Sequence, residues 1–264
     1  MKLYIDPGHG GSDPGAVGNS LKEKDITLDI AKRLRTILLS KYKGIDIRLS
    51  RTRDQTKGLW QRTNEANSWG ANYFVSIHCN AFNGQANGYE DFIYSGLSNT
   101  SKTAQYQNIL HDEITKRIGL KNRGKKKAGF HVLRETKMPA FLSENGFIDH
   151  KQNAACMHQV GWREKVAEGH AIGIAKAFNL KPKQRVTSPM KYQVIAGSFR
   201  DPMNAEIRAA YLQSKGIATA VTRINISKAP IYRVQAGSFK DKAAAERQVK
   251  RIEQIGIDAF LLKS

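Results

Sequence analysis

The stretch Asp6-Pro7-Gly8-His9-Gly10-Gly11-Ser12-Asp13-Pro14-Gly15 constrains the fold of this chain more than any other. The apolar run Leu3-Tyr4-Ile5 predicts a short buried strand, and the four glycines that follow cannot prolong it. The strand therefore ends in a loop, and loops at strand ends are where an α/β sheet carries its chemistry. His9 is placed at the mouth of a sheet. Taken alone, a histidine in a glycine-rich turn is as readily structural as functional.

The residues that follow predict the rest of that sheet. Ile26, Ile30, Leu34, Ile37 and Leu38 recur at helical spacing between Glu23 and Leu39, and Ile45 to Leu49 alternates as a half-buried strand. Leu59 to Trp69 reads as a second helix stopped by Gly70, and the apolar strand Tyr73 to Ile77 runs into His78-Cys79-Asn80-Ala81. Strand, helix, strand, helix, strand predicts the α/β class, a twisted sheet with helices on both faces and the loops of His9 and His78 at one edge. Further strands are expected at Tyr89–Tyr94, Phe130–Leu133 and Ala140–Ser143, and a helix at Tyr106–Ile118. The basic run Lys121 to Lys127 reads as a solvated loop, placed where it could also touch an anionic or carbohydrate substrate.

Two histidines at strand ends and Glu23 at a helix start form a His-Glu-His set, the arrangement that leaves zinc a fourth position for water. Cys79 adjoins His78, but neighbouring residues of a strand point to opposite faces, so Cys79 is expected in the core. Glu144 follows the apolar run 140–143, where a carboxylate is unfavourable unless paired, near a metal or exposed in a cleft. It either caps a loop or, beside a metal, acts as the general base that a zinc hydrolase needs.

The glycine-rich stretch, Glu23, Ser76-Ile77-His78-Cys79-Asn80-Ala81 and Ser143-Glu144-Asn145-Gly146-Phe147-Ile148, in that order, resemble the zinc-dependent N-acetylmuramoyl-L-alanine amidases over residues 1–180. The resemblance implies zinc held by His9, Glu23 and His78, with Glu144 as the catalytic carboxylate. The implied substrate is the amide between the lactyl group of N-acetylmuramic acid and L-alanine. His131 and Arg134 are candidate cleft residues whose roles the motif does not fix. The stretch between His78 and Glu144 is too short for the inhibitory helical insertion of some relatives, which implies an enzyme without a separate activator.

Beyond Leu180 the composition shifts. Lys181 to Pro189 is polar, basic and bracketed by prolines, so the expected organisation is a catalytic domain over 1–180, a linker over 181–190 and a second domain over 191–264. The second domain repeats itself: Tyr192-Gln193-Val194-Ile195-Ala196-Gly197-Ser198-Phe199 returns as Tyr232-Arg233-Val234-Gln235-Ala236-Gly237-Ser238-Phe239, about 40 residues on. Each copy continues through a helix and a Gly-Ile turn to a strand, and two such units can close into a small α+β ferredoxin-like domain with both helices on one face. The duplicated pieces resemble the SPOR family of peptidoglycan-binding domains. That resemblance implies binding of glycan strands stripped of stem peptides on the helix-free sheet face, with Gln193, Phe199, Gln235 and Phe239 as candidate contacts. Both phenylalanines are equally readable as core. Ile195 stands where the second copy has Gln235, so the two halves need not contribute alike.

A net charge of +20, with a pI near 10.0, predicts attraction to a polyanion and leaves nucleic acid, anionic membrane and cell wall all open. The excess is spread along the chain, so there is no single basic tail. Two cysteines are too few for a disulfide framework. The N-terminus lacks an apolar signal-peptide core, and no apolar run approaches the roughly 20 residues of a membrane span. The expectation is cytoplasmic synthesis and action on the wall after lysis or holin-mediated release. Expected partners are peptidoglycan strands and stem peptides, with neither DNA nor membrane, engaged by a monomer. The architecture most resembles mother-cell lysis amidases of spore-forming bacilli and phage endolysins. The competing class is a non-catalytic basic protein that binds wall polymer or nucleic acid, although the Lys/Arg-Gly-Phe/Tyr run of RNA-binding sheets is missing.

Overall fold

A computed structural model of the chain describes residues 1–183, 192–226 and 229–263. It divides into two units, Met1–Lys183 and Gln184–Ser264. Residues 184–190 of the expected linker, residue 191 at the start of the expected second domain, and Ser264 lie outside the described residues.

The first unit opens with β1 (Lys2–Pro7), the short hairpin β2 (Val17–Gly18) and β3 (Leu21–Lys22), α1 (Glu23–Lys41), β4 (Asp46–Leu49) and α2 (Leu59–Trp69). It continues through β5 (Tyr73–Asn80), β6 (Tyr89–Tyr94), α3 (Lys102–Ile118), β7 (Asn122–Ala128) and α4 (His131–Arg134). It ends with β8 (Ala140–Phe147), α5 (Lys151–His158) and α6 (Val160–Ala177). Six strands form one sheet in the order β4-β1-β5-β8-β6-β7. Strands β4, β1, β5 and β8 pair in parallel, and β6 reverses direction against β8. The sheet is therefore mixed.

Side-chain alternation along the strands feeds two apolar layers. Leu3, Ile5, Val75 and Ile77 enter the larger core beneath α1, α3 and α6, whereas Tyr4 and Phe74 enter a second cluster with Ala66 of α2 and Val132 of α4. Helices cover both faces, which is why β1 and β5 read as continuous apolar runs. Each aliphatic side chain buried in these layers contributes about 1.5–3 kcal/mol. Glu23 and Asp25 occupy the first turn of α1, where carboxylates suit the positive end of the helix dipole. Among the described residues no helix is long and apolar enough to cross a membrane.

Two expected elements differ. Residues 130–133 read as a strand, but Phe130 caps the short helix α4 and residues 131–133 belong to it, its single turn burying the adjacent Val132 and Leu133 together. A strand would have sent one of them to the opposite face. The basic run expected as a loop is the strand β7, pairing in parallel with β6 at the end of the sheet. An edge strand can carry lysines because it lacks a second partner strand, and α3 meets it through polar groups: Gln107 donates to Lys126 O (3.1 Å) and Lys125 to Asn108 Oδ1 (2.7 Å). Lys181–Lys183, where the linker was expected to start, runs beside the end of α1. The Lys43 amide donates to Lys181 O (2.8 Å), and the Lys183 amide to Lys41 O (2.7 Å).

The second unit comprises β9 (Tyr192–Phe199), α7 (Pro202–Ser214), β10 (Ala220–Ile226), β11 (Ala229–Phe239), α8 (Lys242–Glu253) and β12 (Phe260–Lys263). Its four strands pair antiparallel in the order β10-β11-β9-β12, the ferredoxin-like arrangement. The repeat is visible in its core. Val194 and Val234, Ala196 and Ala236, Ala205 and Ala245, Leu212 and Ile252 occupy equivalent positions of one buried cluster. Neither copy supplies enough apolar surface alone, so the two are folded as one body.

Candidate active site

Just beyond β1 the Gly8 amide still donates to Ile77 O of β5 (3.0 Å), and His9 follows beside His78, their ring centroids 5.0 Å apart. A Cβ at Gly8 would lie 2.3 Å from His78 Cε1, so only glycine lets the two segments approach this closely. His9 takes φ 61°, a left-handed conformation rare for a residue with a side chain. Two arginines hold the loop. Arg51 donates to Pro7 O (3.2 Å) and Gly8 O (2.8 Å), and Arg62 to Pro7 O (2.9 Å) and His9 O (2.8 Å). Arg62 also pairs with buried Asp6 at 2.5 Å. Burial raises the Asp6 carboxyl, but this guanidinium outweighs it and holds the group below its ordinary value.

Glu23, the first residue of α1, is 3% exposed and links the two histidines. Its Oε2 lies 3.1 Å from His9 Nε2 and accepts from the Ala16 amide (2.8 Å). Its Oε1 lies 2.9 Å from His78 Nδ1 and accepts from the Cys79 amide (2.9 Å). Burial raises the Glu23 carboxyl, but the hydrogen bonds from His78 and His9 prevail, so it stays far below the usual carboxylate range. The His9 imidazole shifts the other way: burial lowers it, while Glu23 and Asp13 raise it further. Asp13 Oδ2, 2.8 Å from His9 Nδ1, fixes the orientation of that ring.

Ligand atoms of His9, Glu23 and His78 all lie within 4.8 Å of one another. Two imidazole nitrogens and a carboxylate oxygen at this spacing fit a tetrahedral zinc ion, whose nitrogen and oxygen ligands sit at about 2.0–2.2 Å. Glu144 stands directly across from His78 in the β5–β8 pairing. Its Oε2 is buried with no hydrogen-bond partner among the described residues. Burial, with the nearby charges of Glu23 and Glu90, pushes the Glu144 carboxyl well above its ordinary value. All these groups except Glu23 line or border one cleft of about 490 Å³, whose lining includes His9, His78 and Glu144.

Residues 3–176 match the family described as N-acetylmuramoyl-L-alanine amidase, and residues 188–263 match the SPOR domain. The chain belongs to the N-acetylmuramoyl-L-alanine amidase family. It is 48% identical over 221 residues to the amidase CwlM of Bacillus licheniformis, and 46% identical over 221 residues to a sporulation-specific N-acetylmuramoyl-L-alanine amidase of Bacillus subtilis. Each match covers 84% of this chain and 84% of the relative. An endolysin of Bacillus phage SPP1 is 46% identical over 192 residues, covering 72% of this chain and 70% of its own. The solved catalytic domain of CwlV, an amidase of Bacillus (Paenibacillus) polymyxa, superposes with a TM-score of 0.64 at 34% identity, covering 68% of this chain and 99% of that domain.

Within this amidase, His131 lies at the start of α4 and lines the cleft. Arg134 does not: its guanidinium donates to Glu135 Oε1 (2.8 Å) and Gly129 O (2.7 Å) at the other end of the turn. Cys79 is buried in the larger core. In the SPOR domain, Gln193 and Gln235 alternate with core residues Val194, Val234 and Ala236, which places them on the helix-free face. Gln235 donates to Ser238 Oγ at 2.6 Å. The two phenylalanines are a correction. Phe199 and Phe239 pack against the helix-side cluster, and Arg208 of α7 lies over the Phe199 ring at 5.5 Å. Gly197 and Gly237 take φ 138° and 144°, which breaks the alternation just before each ring. Arg51 and Arg62 escaped sequence reasoning. The one available signal was the four-residue spacing of Arg62 and Ala66, which sets both on the buried face of α2.

Proposed function

We propose that the chain is a zinc-dependent hydrolase of the amide between N-acetylmuramic acid and L-alanine, targeted to peptidoglycan by its SPOR domain. The observation that carries this reading is the convergence of the His9, Glu23 and His78 donor atoms, with His9 and His78 opening on the cleft that Glu144 also lines. The relatives named as a sporulation-specific amidase and a phage endolysin support a lytic setting, mother-cell or host-cell. Synthesis in the cytoplasm, with access to the wall on lysis, fits both.

Zinc bound by His9, Glu23 and His78 supplies Lewis acidity toward water and the scissile carbonyl. The chain's own residues do the rest. Asp13 holds the His9 ring, and the cations of Arg51 and Arg62 fix the loop beneath it. Glu144, made more basic by burial and by neighbouring carboxylates, takes the proton of the attacking water. It then delivers that proton to the departing L-alanine nitrogen, which is too basic to leave as an anion. Leu142, Val132 and Phe130 supply the apolar lining that limits competing water.

The test separates ligand from base. His78→Ala should lose stoichiometric zinc and hydrolysis together, whereas Glu144→Gln should keep zinc and lose activity by about 10²–10⁴-fold. Release of L-alanine N-termini from purified wall at near wild-type rate by Glu144→Gln would sink its assignment.

A further inference from the structure

The lining of the cleft divides by chemistry. His9, Asp13, His78 and Glu144 gather around the zinc donors, while Leu59, Phe130, Val132 and Leu142 are apolar. At the mouth, Leu59 is 54% and Phe130 42% exposed, and the neighbouring Trp60, outside the lining itself, is 61% exposed. Trp60 is held nonetheless: its ring meets His131 edge to face, with centroids 4.5 Å apart and planes at 80°. Three large apolar side chains kept in water at one cleft mouth mark a surface that something covers.

The charges of the same lining say what kind of molecule that is. Its lysine and arginine are both committed, Lys57 to Ser50 O (2.8 Å) and Glu65 Oε2 (2.5 Å), and Arg62 to Asp6 and the His9 loop. Among the described residues no other lysine or arginine lines the cleft, so this side offers no free cation among them for the carboxylates of a stem peptide. A saccharide ring is neutral and presents a flat face of C–H groups that stacks on an exposed indole. A tryptophan already braced in place loses little conformational freedom when it is covered.

We propose that Trp60, braced by His131 and flanked by Leu59 and Phe130, is a saccharide subsite that holds the glycan ring next to the muramoyl unit undergoing hydrolysis. Its assignment to an adjacent ring rests on the amidase reading above, because Trp60 stands at the rim and not among the groups that surround the donors.

The chain has three tryptophans, Trp60, Trp69 and Trp162, all in the first unit, so the SPOR domain contributes no tryptophan of its own to the emission. Titrating the full chain with a peptide-free N-acetylglucosamine–N-acetylmuramic acid tetrasaccharide should change tryptophan emission saturably, and Trp60→Phe should abolish that change. In Trp60→Ala, kcat/KM should fall about tenfold further on a peptide-bearing tetrasaccharide than on an N-acetylmuramoyl dipeptide, chiefly through KM. Trp60→Phe should recover part of that loss, which a purely structural role would not predict. An unresponsive wild type, a response to free stem tripeptide alone, or equal losses on both substrates would overturn the subsite. A wild type that hydrolyses neither substrate yet gives the Trp60-dependent response would sink the amidase reading and leave the saccharide subsite standing.

Discussion

The two units solve different problems with different interiors. The first buries charge: Asp6 with Arg62, Asp91 with His111 at 2.7 Å, and Glu23 between two histidines. The second buries alanines, valines and a few larger aliphatics, and its one ion pair among the described residues is the exposed Lys242–Glu246 at 3.0 Å. A hydrolytic centre must hold loops in conformations they would not choose, and buried guanidinium groups can fix several carbonyls at once. A binding module made from a duplicated unit needs only its two halves to fit each other. The same contrast makes the first unit vulnerable where the second is not, because a buried pair is strongly destabilising once one partner is removed.

Arg62→Ala should show the difference most strongly. It leaves Asp6 buried without its cation and frees two carbonyls of the His9 loop, Pro7 O and His9 O, so the first unit should lose about 3–5 kcal/mol. Tryptophan emission, which reports the first unit alone, should show the early transition in denaturant, while the SPOR domain unfolds at its wild-type midpoint. A loss below about 1 kcal/mol would mean that the buried pair is not what holds the loop.

Acid should separate the units next. His170 in α6 donates from Nδ1 to Val166 O (2.8 Å) and lies 2.9 Å from Ser143 Oγ, fully buried. Burial pushes its pKa down to about 4 from 6.5, despite the opposing bond to Val166. The unfolded chain therefore takes up a proton that the folded one refuses. Stability is intact above pH 6.5 and falls by about 3 kcal/mol as pH drops from there through about 4. His170→Gln should flatten that part of the first unit's stability curve. A curve of unchanged slope would show that other groups carry the acid sensitivity.

Lys242→Ala should have the smallest effect. Glu246 raises the Lys242 ammonium, but the pair is solvent-exposed, and thermal unfolding of the SPOR domain should not shift measurably. A clear destabilisation would show that this unit also depends on charge.

The parts of the site that were legible in the sequence are those that local signals place. His9 and His78 end apolar runs and Glu23 starts a helix, so the strand order alone brings them to one edge of the sheet. What was not legible depends on distant partners. Arg51 and Arg62 lie 44 and 55 residues from the Pro7 carbonyl they bind, and nothing in their neighbours announces it. Phe130-His131-Val132-Leu133 is too short to show a period, so the second apolar layer decided its helix. The alternation that would have put Phe199 and Phe239 on the open face is broken by the backbone at Gly197 and Gly237.

Strand β7 has a consequence for behaviour in a crowded solution. The open edge of a sheet is a template on which another chain can add a strand, and concentration favours that addition. Here the edge carries Arg123, Lys125, Lys126 and Lys127 within seven residues, with Glu90 answering only Arg123 and Lys126. A second copy approaching this edge meets like charge before it can form a ladder of hydrogen bonds. The protein thereby resists edge-to-edge aggregation, a protection that should weaken as salt screens the lysines.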